Sequence, residues 1–345
     1  MKVKKILGIT TVVALLSIAI FIFISVKNQQ SSDKIYLKLA HCQSKESEIA
    51  DSIAYIVDVV AKDPSKNMEI EIYPSGVLGT EKEIIEMVQA GILDIAKVSS
   101  NSLGQFENRY SIFALPYLFD GQKHYYEAMA KSEEINNLFR DNEKNGYIVI
   151  GYYANGARNF YLKDNVPVSD PSVLAGKKIR SMPSTTSMKM IEHMGGSPVP
   201  MPASETYTTL QQGVIDGAEN TELALTVDKH GELAKSYTYT EHQYSPDVYL
   251  ISVKAWDALS DEQKQHLKDS FTAINDNFTK MYSRMMAEAV EEAKKMGITV
   301  YKDIDKTKFI QAVQPIHIEF TSKGEAYKKL YDDIQKYSNK AKGGN

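Results

Sequence analysis

The chain writes one phrase twice. Val88–Ser99 reads VQAGILDIAKVS and Leu210–Thr221 reads LQQGVIDGAENT; aligned, both run apolar-Gln-x-Gly-apolar-apolar-Asp-x-Ala. Glycine ends a helix in each copy, because it takes the left-handed cap conformation at no steric cost. An aliphatic pair then enters a sheet, as the strands ILDIAKV and VIDGA, and polar residues follow at the strand ends. These are Ser99, Ser100 and Asn101 in one copy, and Glu219 and Asn220 in the other. Two such helix–glycine–strand units predict an α/β chain with two similar lobes, each aiming polar groups at the other. The carboxyl ends of strands are where open α/β sheets bind ligands.

The flanking segments obey the same grammar. IYLKLA and NMEIEIYPSG read as strands around the helical spacing of Ile49, Ile53, Ile56 and Val60. Thr80 with Glu83 forms a capping box for the helix that Gly91 closes. In the second half GYIVIGYYANG and AGKKIRSMP are strands, and TTSMKMIEHMGG and ETYTTLQQG are helices closed by glycine. From Ser260 the pattern becomes one helix running to Gly297, far longer than an average globular helix and able to lie across two lobes. A strand, ITVYK, and a helix that Pro315 should kink follow it.

The chain starts with Lys2, Lys4 and Lys5 and an uncharged run from Ile6 to Val26, long enough to span a bilayer. The lysines predict that everything after Lys27 is extracytoplasmic. The run is a membrane anchor or a cleaved signal; no small-x-small cleavage site is evident, which favours the anchor. Residues 1–33 are thus an export segment and linker. A formal net charge of -4 with no basic stripe argues against nucleic acid. The one cysteine, Cys42, excludes an internal disulfide and reads as a small residue at a strand end.

The seven histidines form no metal-ligating pattern, and there is no nucleophile elbow, phosphate loop or dinucleotide fingerprint, so neither a metal nor a cofactor is expected. Two arginines stand out by position: Arg158, in the Gly/Asn-rich corner of YYANGARNFYL, and Arg180, ending the strand of LAGKKIRSMPST. A guanidinium is a permanently charged planar fork matched to a carboxylate, though each residue also reads as a structural ion pair. Glu219 and Asn220 likewise read as ligand contacts or as turn-stabilising polar groups.

The block LAGKKIRSMPSTTSMKMIEHMGGSPVPMPASETYTTLQQGVIDGAEN resembles the signature of the solute-binding subunits of tripartite ATP-independent periplasmic (TRAP) transporters. IYPSGVLGTEKEIIEMVQAGILD and FALPYLF upstream, and HGELAKSYTYTEH and SVKAWDALSDEQ downstream, fit the same family. The resemblance implies a type II-like periplasmic binding fold, with two α/β lobes joined by crossing hinge strands and a long lobe-spanning helix. Lobe I is expected over 34–155 plus about 246–285, and lobe II over 156–245 plus about 286–345. The resemblance also implies that Arg180 makes the two-pronged contact with a substrate carboxylate, Arg158 a second cationic contact and Asn220 a polar one. Glu219, Ser99, Asn101, Ser184 and Tyr207 are further candidates for the hydroxyls of a ligand. The expected partners are a small organic acid and the TRAP membrane permease, the protein acting as a monomer by capture without chemistry.

Ser99 and Ser102 in KVSSNSLGQF, and Ala203 where sialic acid binders carry an aromatic, argue against sialic acid. The AspGlyAlaGluAsn block with His230, Ala234 and His242 is more similar to members that bind uronates, although Thr221, Leu223 and Ala224 depart from that subgroup. C4-dicarboxylates and keto acids stay open. Of the other classes, an enzyme acting on a sugar acid would need a carboxylate pair, for which Glu219 with Asp216 is the only close candidate. A tethered sensor ectodomain ranks behind both.

Overall fold

The structure is a computed structural model that describes residues 34–338. The export segment expected over 6–26 lies outside the described residues, and among these no helix is long and apolar enough to cross a membrane. The first half of the chain builds β1 (Ile35–His41), α1 (Glu48–Ala61), β2 (Met68–Tyr73), α2 (Glu81–Gln89), β3 (Ile95–Ser99), the single turn α3 (Ser100–Leu103), α4 (Gln122–Lys131), α5 (Glu133–Arg140) and β4 (Tyr147–Tyr153). Next come β5 (Ala157–Leu162), β6 (Lys178–Ser181), α6 (Thr185–His193), β7 (Ser197–Pro200), α7 (Thr206–Gln211), β8 (Gly217–Asn220), α8 (Leu223–Thr226) and β9 (Ser236–Tyr244). The chain then forms β10 (Asp247–Ser252), α9 (Val253–Ala258), α10 (Asp261–Lys295), β11 (Thr299–Tyr301), α11 (Thr307–Ser322) and α12 (Glu325–Gln335).

The strands form two sheets, ordered β2-β1-β3-β10-β4 and β11-β9-β5-β8-β6-β7. Read from its β7 edge, the second repeats the first: β7, β6, β8, β5 and β9 stand where β2, β1, β3, β10 and β4 stand. The pairings agree as well. The first three strands of each set are parallel, and the fourth runs antiparallel between its neighbours.

The repeated phrase sits at the same place in both sheets. Gly91 and Gly213 hold φ of 65° and 71°, the left-handed conformation that ends α2 and α7. Asp94 Oδ2 then accepts the Lys38 N–H of β1 at 2.9 Å, and Asp216 Oδ2 accepts the Lys178 N–H of β6 at 2.7 Å. The shared aspartate thus satisfies a backbone donor of the neighbouring parallel strand. Both strands start later than the aliphatic pairs suggest, at Ile95 and Gly217. Glu219 and Asn220 therefore lie inside β8 instead of beyond its end.

The fourth strand of each sheet is reached by crossing between lobes, at 154–156 from β4 into β5 and at 245–246 from β9 into β10. A third connection is α10, capped by Ser260 and Gln263 in a capping box and ending before Gly297, whose φ is 85°. Its buried Phe271 and Phe278 lie against Tyr249 and Tyr153 of lobe I at centroid distances of 4.4 and 4.3 Å. Farther along, Ala293 joins the core of lobe II with Ile298 and Tyr237. The helix is anchored in both lobes.

The C-terminus departs from the expected boundary, which assigned residues 286–345 to lobe II. Helix α12 lies on lobe I: Asp333 accepts the Ser132 hydroxyl at 2.6 Å, and His124 Nε2 donates to the Ile334 carbonyl at 2.9 Å. Pro315 is accommodated within α11, which continues to Ser322.

Gly217 opens β8 where β5 passes so closely that a Cβ would lie 2.4 Å from the Tyr161 carbonyl oxygen and 2.6 Å from Leu162 Cδ2. Backbone cannot yield there as a flexible side chain would. Gly217→Ala is expected to destabilise the protein by about 1–3 kcal/mol, seen as a lower midpoint in thermal unfolding.

Candidate functional site

The turns that follow β3 and β6 meet across the gap between the lobes. Asn101 Nδ2 of lobe I reaches Met182 Sδ of lobe II at 3.1 Å, and Gln105 Nε2 donates to the Pro183 carbonyl at 2.9 Å. Beside this contact a cavity of about 520 Å³ is walled by Gly104 and Gln105 of lobe I and by Pro183, Ser184 and Thr186 of lobe II.

The two arginines have different environments. Arg158, on β5, is fully engaged: Nε donates to Glu219 Oε2 at 2.5 Å, Nη2 to Oε1 at 3.0 Å and to the Glu219 carbonyl at 2.7 Å, and Nη1 to Asn220 Oδ1 at 2.9 Å. Glu219 is 1 % exposed and also lies 3.4 Å from His242 Nε2. Burial pushes the Glu219 carboxyl up, but Arg158 and His242 outweigh it and hold the pKa down at about 2. His242 is fixed in turn by Thr240 at 2.8 Å and by stacking on Phe160.

Arg180, on β6, is 4 % exposed, yet among the described residues no carboxylate lies within ion-pair distance of it. Its Nε and Nη2 donate to a single acceptor, the Met201 carbonyl, at 3.2 and 2.9 Å. Burial lowers its pKa and the neighbouring Arg158 lowers it further, while Glu219 pulls the other way. A guanidinium carries five donors. Arg180 is thus a buried cation with most of its fork uncommitted.

The repeat explains a feature missed in the sequence reading. Lys97 occupies in β3 the place of Glu219 in β8, and its ammonium pairs with Asp247 of β10 as Glu219 pairs with Arg158 of β5. Each sheet therefore carries one closed ion pair across equivalent strands, with the charges reversed. Lys97 is 1 % exposed and lies 5.1 Å from the Tyr153 ring centroid. A charged residue inside the apolar run IAKVS was the signal available for it; Asp247 left none.

Two acids near these pairs were also missed. Glu81, the first residue of α2, accepts from the Ser102 hydroxyl at 2.5 Å and the Ser99 N–H at 3.1 Å. Burial and then Asp247 raise its pKa, against the pull of Lys97. Asp228, just after α8, is accessible to solvent yet surrounded by protein, and it makes no hydrogen bond or ion pair among the described residues. Loss of hydration pushes its carboxyl up to about 6, opposed by Arg180 of lobe II and Lys97 of lobe I. His230, bonded to Tyr161 at 2.7 Å, is held down at about 4 by burial and by Arg180, and His41 at about 4 by burial and Lys97. Both imidazoles are neutral near pH 7.

Of the expected ligand contacts, Asn101 reaches across the lobes to Met182, two residues from Arg180, and Arg158, Glu219 and Asn220 form one cluster on β5 and β8. Ser99 caps the turn at Asn101, and Ser184 caps α6. Asn101 Oδ1 is buried without a hydrogen-bond partner among the described residues, a polar atom directed at the interface. Tyr207 does not join them: its hydroxyl donates to Glu232 at 2.6 Å in an exposed pair. The short α7 turns that ring outward, which helical spacing alone did not reveal.

Two hinged lobes, three connections and a sealed cation between strand ends define a clamshell solute-binding protein. The chain belongs to the family described as bacterial extracellular solute-binding protein, family 7, which matches residues 39–323. This is the DctP family of TRAP solute-binding subunits, non-enzymatic binding proteins, so the enzyme alternative falls. An uncharacterized protein, YiiZ, of Salmonella typhimurium is 34% identical over 309 residues, covering 90% of this chain and 94% of that one. The crystal structure of a TRAP periplasmic solute-binding protein from Anaerococcus prevotii with bound D-glucuronate is 32% identical, with a TM-score of 0.84 over 88% of this chain and 98% of that one. One from Xanthobacter autotrophicus with bound β-D-galacturonate is 28% identical, with a TM-score of 0.81 over 87% and 99%.

The Glu219 carboxylate has a folded pKa of about 2 against an ordinary 4.5, so it contributes stability above pH 4.5 that is lost as pH falls toward 2. Glu219→Gln leaves Arg158 buried and unpaired, and is expected to cost about 3–5 kcal/mol at pH 7. In urea unfolding followed from pH 7 downward, the difference from the wild type should narrow below about pH 5.

Proposed function

We propose that this protein captures a hexuronate, such as D-glucuronate or D-galacturonate, outside the cytoplasm and delivers it to the permease subunits of a TRAP transporter. Arg180 grips the carboxylate. The observation that carries the reading is a guanidinium 4 % exposed, two residues from the Met182–Asn101 contact between the lobes, bonded to one carbonyl and to no acid. A buried cation without a counter-charge is costly, and a ligand carboxylate accepting two parallel N–H bonds relieves that cost.

Arg158 and Asn220 form a preset wall beside it. Four bonds to Glu219 and Asn220 fix the Arg158 fork, so it acts by its field and by the lone pairs it orients more than as a free second grip. Ser99, Asn101 and Ser184 stand where ring hydroxyls would fall, and the unpartnered Asn101 Oδ1 is an acceptor for one of them. The bound hexuronates of the Anaerococcus and Xanthobacter proteins support the choice of ligand class. The crossing segments 154–156 and 245–246 would serve as the hinge. Closure excludes water and strengthens the Arg180–carboxylate attraction. The same closure makes a two-lobed surface for the permease. In this reading residues 6–26 carry the chain across the membrane, as signal or anchor.

Isothermal titration of the full chain with D-glucuronate and D-galacturonate tests the reading. Arg180→Ala is expected to weaken binding on the order of a hundredfold or more, since losing one partner of a desolvated charge pair costs about 2–5 kcal/mol. Arg180→Lys, which keeps the charge but not the fork, should recover only part of that loss. Wild-type affinity in Arg180→Ala would overturn the assignment.

A further inference from the structure

The segment FALPYLF, Phe113–Phe119, carries a residue that the ligand site leaves unexplained. Tyr117 holds φ of 55°, left-handed backbone that a bulky side chain rarely adopts. Its neighbours are tied down on both sides. The Pro116 carbonyl accepts His317 Nε2 of α11 at 2.7 Å, and the Leu118 carbonyl accepts Gln335 Nε2 of α12 at 2.8 Å. Tyr117 itself reaches β9 of the other lobe: its N–H donates to the His242 carbonyl at 2.7 Å and its hydroxyl to the Thr240 carbonyl at 3.1 Å. Gln243 Nε2 returns a third bond, to the Phe113 carbonyl at 3.0 Å. A conformation of this kind persists only where its surroundings impose it, and its cost points to a task.

What Tyr117 grips is a break in a ladder. Between β5 and β9 the register passes from Phe160↔Thr238 to Arg158↔Gln243, so Tyr239 to His242 stand opposite Asn159 alone. Glu241, in their midst, takes φ of 43° and donates its N–H to Asn159 Oδ1 at 2.8 Å. A bulge frees backbone carbonyls from the ladder and re-aims the side chains beside it. Here the carbonyls are those of Thr240 and His242, which Tyr117 satisfies, and the re-aimed side chain is His242. Its Nδ1 meets the Thr240 hydroxyl at 2.8 Å, and its Nε2 lies 3.4 Å from Glu219. Glu219 is the acid that holds Arg158, and Arg158 in turn holds Asn220.

We propose, resting on the reading of Arg158 and Asn220 as a wall of the ligand site, that Tyr117 is a positioning residue for that wall. From lobe I it clamps the two carbonyls flanking Glu241 and so aims the His242 ring at Glu219. Tyr117 does not touch the ligand in this account; it acts through Thr240, His242 and Glu219 on the Arg158 fork. Burial holds the His242 imidazole toward its neutral form, in which one ring nitrogen carries a proton and the other a lone pair. With the Nε2 proton turned to the Glu219 carboxylate, Nδ1 is left to accept the Thr240 hydroxyl. Fixing Thr240 beside His242 therefore also fixes which nitrogen carries the proton. A lobe I residue thus sets the geometry of a lobe II wall.

The test pairs isothermal titration of the full chain against D-glucuronate with the NMR signals of its imidazole nitrogens, those of His242 being assigned by their loss in His242→Asn. Tyr117→Phe deletes one hydrogen bond and keeps the ring. It should weaken D-glucuronate binding about threefold to tenfold. It should also shift the His242 nitrogens while those of His266, on α10 and bonded to the Val60 carbonyl, stay in place. Thr240→Val removes the hydroxyl beside the ring and should reproduce both effects. The double variant should bind no more weakly than the poorer single one, since the two residues act in one chain. Tyr117→Asn tolerates the left-handed backbone but loses the ring as well as the hydroxyl, and should bind more weakly than Tyr117→Phe. Unmoved His242 signals or wild-type affinity in Tyr117→Phe would sink the proposal, whatever the thermal midpoint does, and so would additive losses in the double variant. If the wild type binds neither D-glucuronate nor D-galacturonate, the hexuronate reading falls by itself, and the His242 signals of Tyr117→Phe still decide whether Tyr117 positions that ring.

Discussion

A permanently charged guanidinium, almost entirely buried, with one carbonyl oxygen as its acceptor, is the constraint around which the rest of the molecule is arranged. Folding ordinarily pairs such a group or leaves it in water. Here the same protein shows the ordinary solution a strand away, where Arg158 is saturated by Glu219 and Asn220. The contrast gives the two arginines separate work. Arg158 is part of the wall, its position set by a carboxylate that is itself steered by His242. Arg180 retains donors that the protein leaves uncommitted, the ground on which the proposal gives it the ligand carboxylate.

The doubled sheet explains how such a cation can be held at an interface and still be reached. Each lobe repeats the same five-strand order, and each completes its sheet with a strand delivered from the other side of the hinge. The repeated aspartates, Asp94 and Asp216, hold the start of each central strand to its parallel neighbour. The closed pairs Lys97–Asp247 and Glu219–Arg158 occupy matching places with reversed sign. Each sheet thus satisfies one buried charge pair internally, whereas Arg180 has no acid partner among the described residues. Long-range connection falls to α10, whose aromatic residues pack into lobe I and whose final turns enter lobe II. A single helix of this length anchors the two lobes in one frame.

Much of this was legible in the residues. The glycine stops at Gly91 and Gly213, the capping boxes at Thr80 and Ser260, and the unbroken helical pattern up to Gly297 are local devices, set by backbone sterics and nearest-neighbour hydrogen bonds. They gave the α/β layers, the two similar units and the overlong helix. Arg158, Arg180, Glu219 and Asn220 were found because polar residues at strand ends stand out against apolar strands. Lys97 was legible in principle, as a charge inside IAKVS and the counterpart of Glu219 in the repeat.

The amino-acid sequence alone determined the two-unit α/β plan, the long helix and the presence of carboxylate-matching arginines, since all of these follow from contacts between residues close in the chain. Tertiary structure alone decided which arginine is paired with an acid and which is not, that Tyr207 points away, and that α12 returns to lobe I. The partners in those contacts are separated by about twenty to more than two hundred residues, and no local rule specifies such pairings. Two equivalent guanidiniums on paper become one saturated by an acid and one with free donors only when the sheets are assembled, because burial and the identity of the nearest acid, not residue type, set what a charge can do.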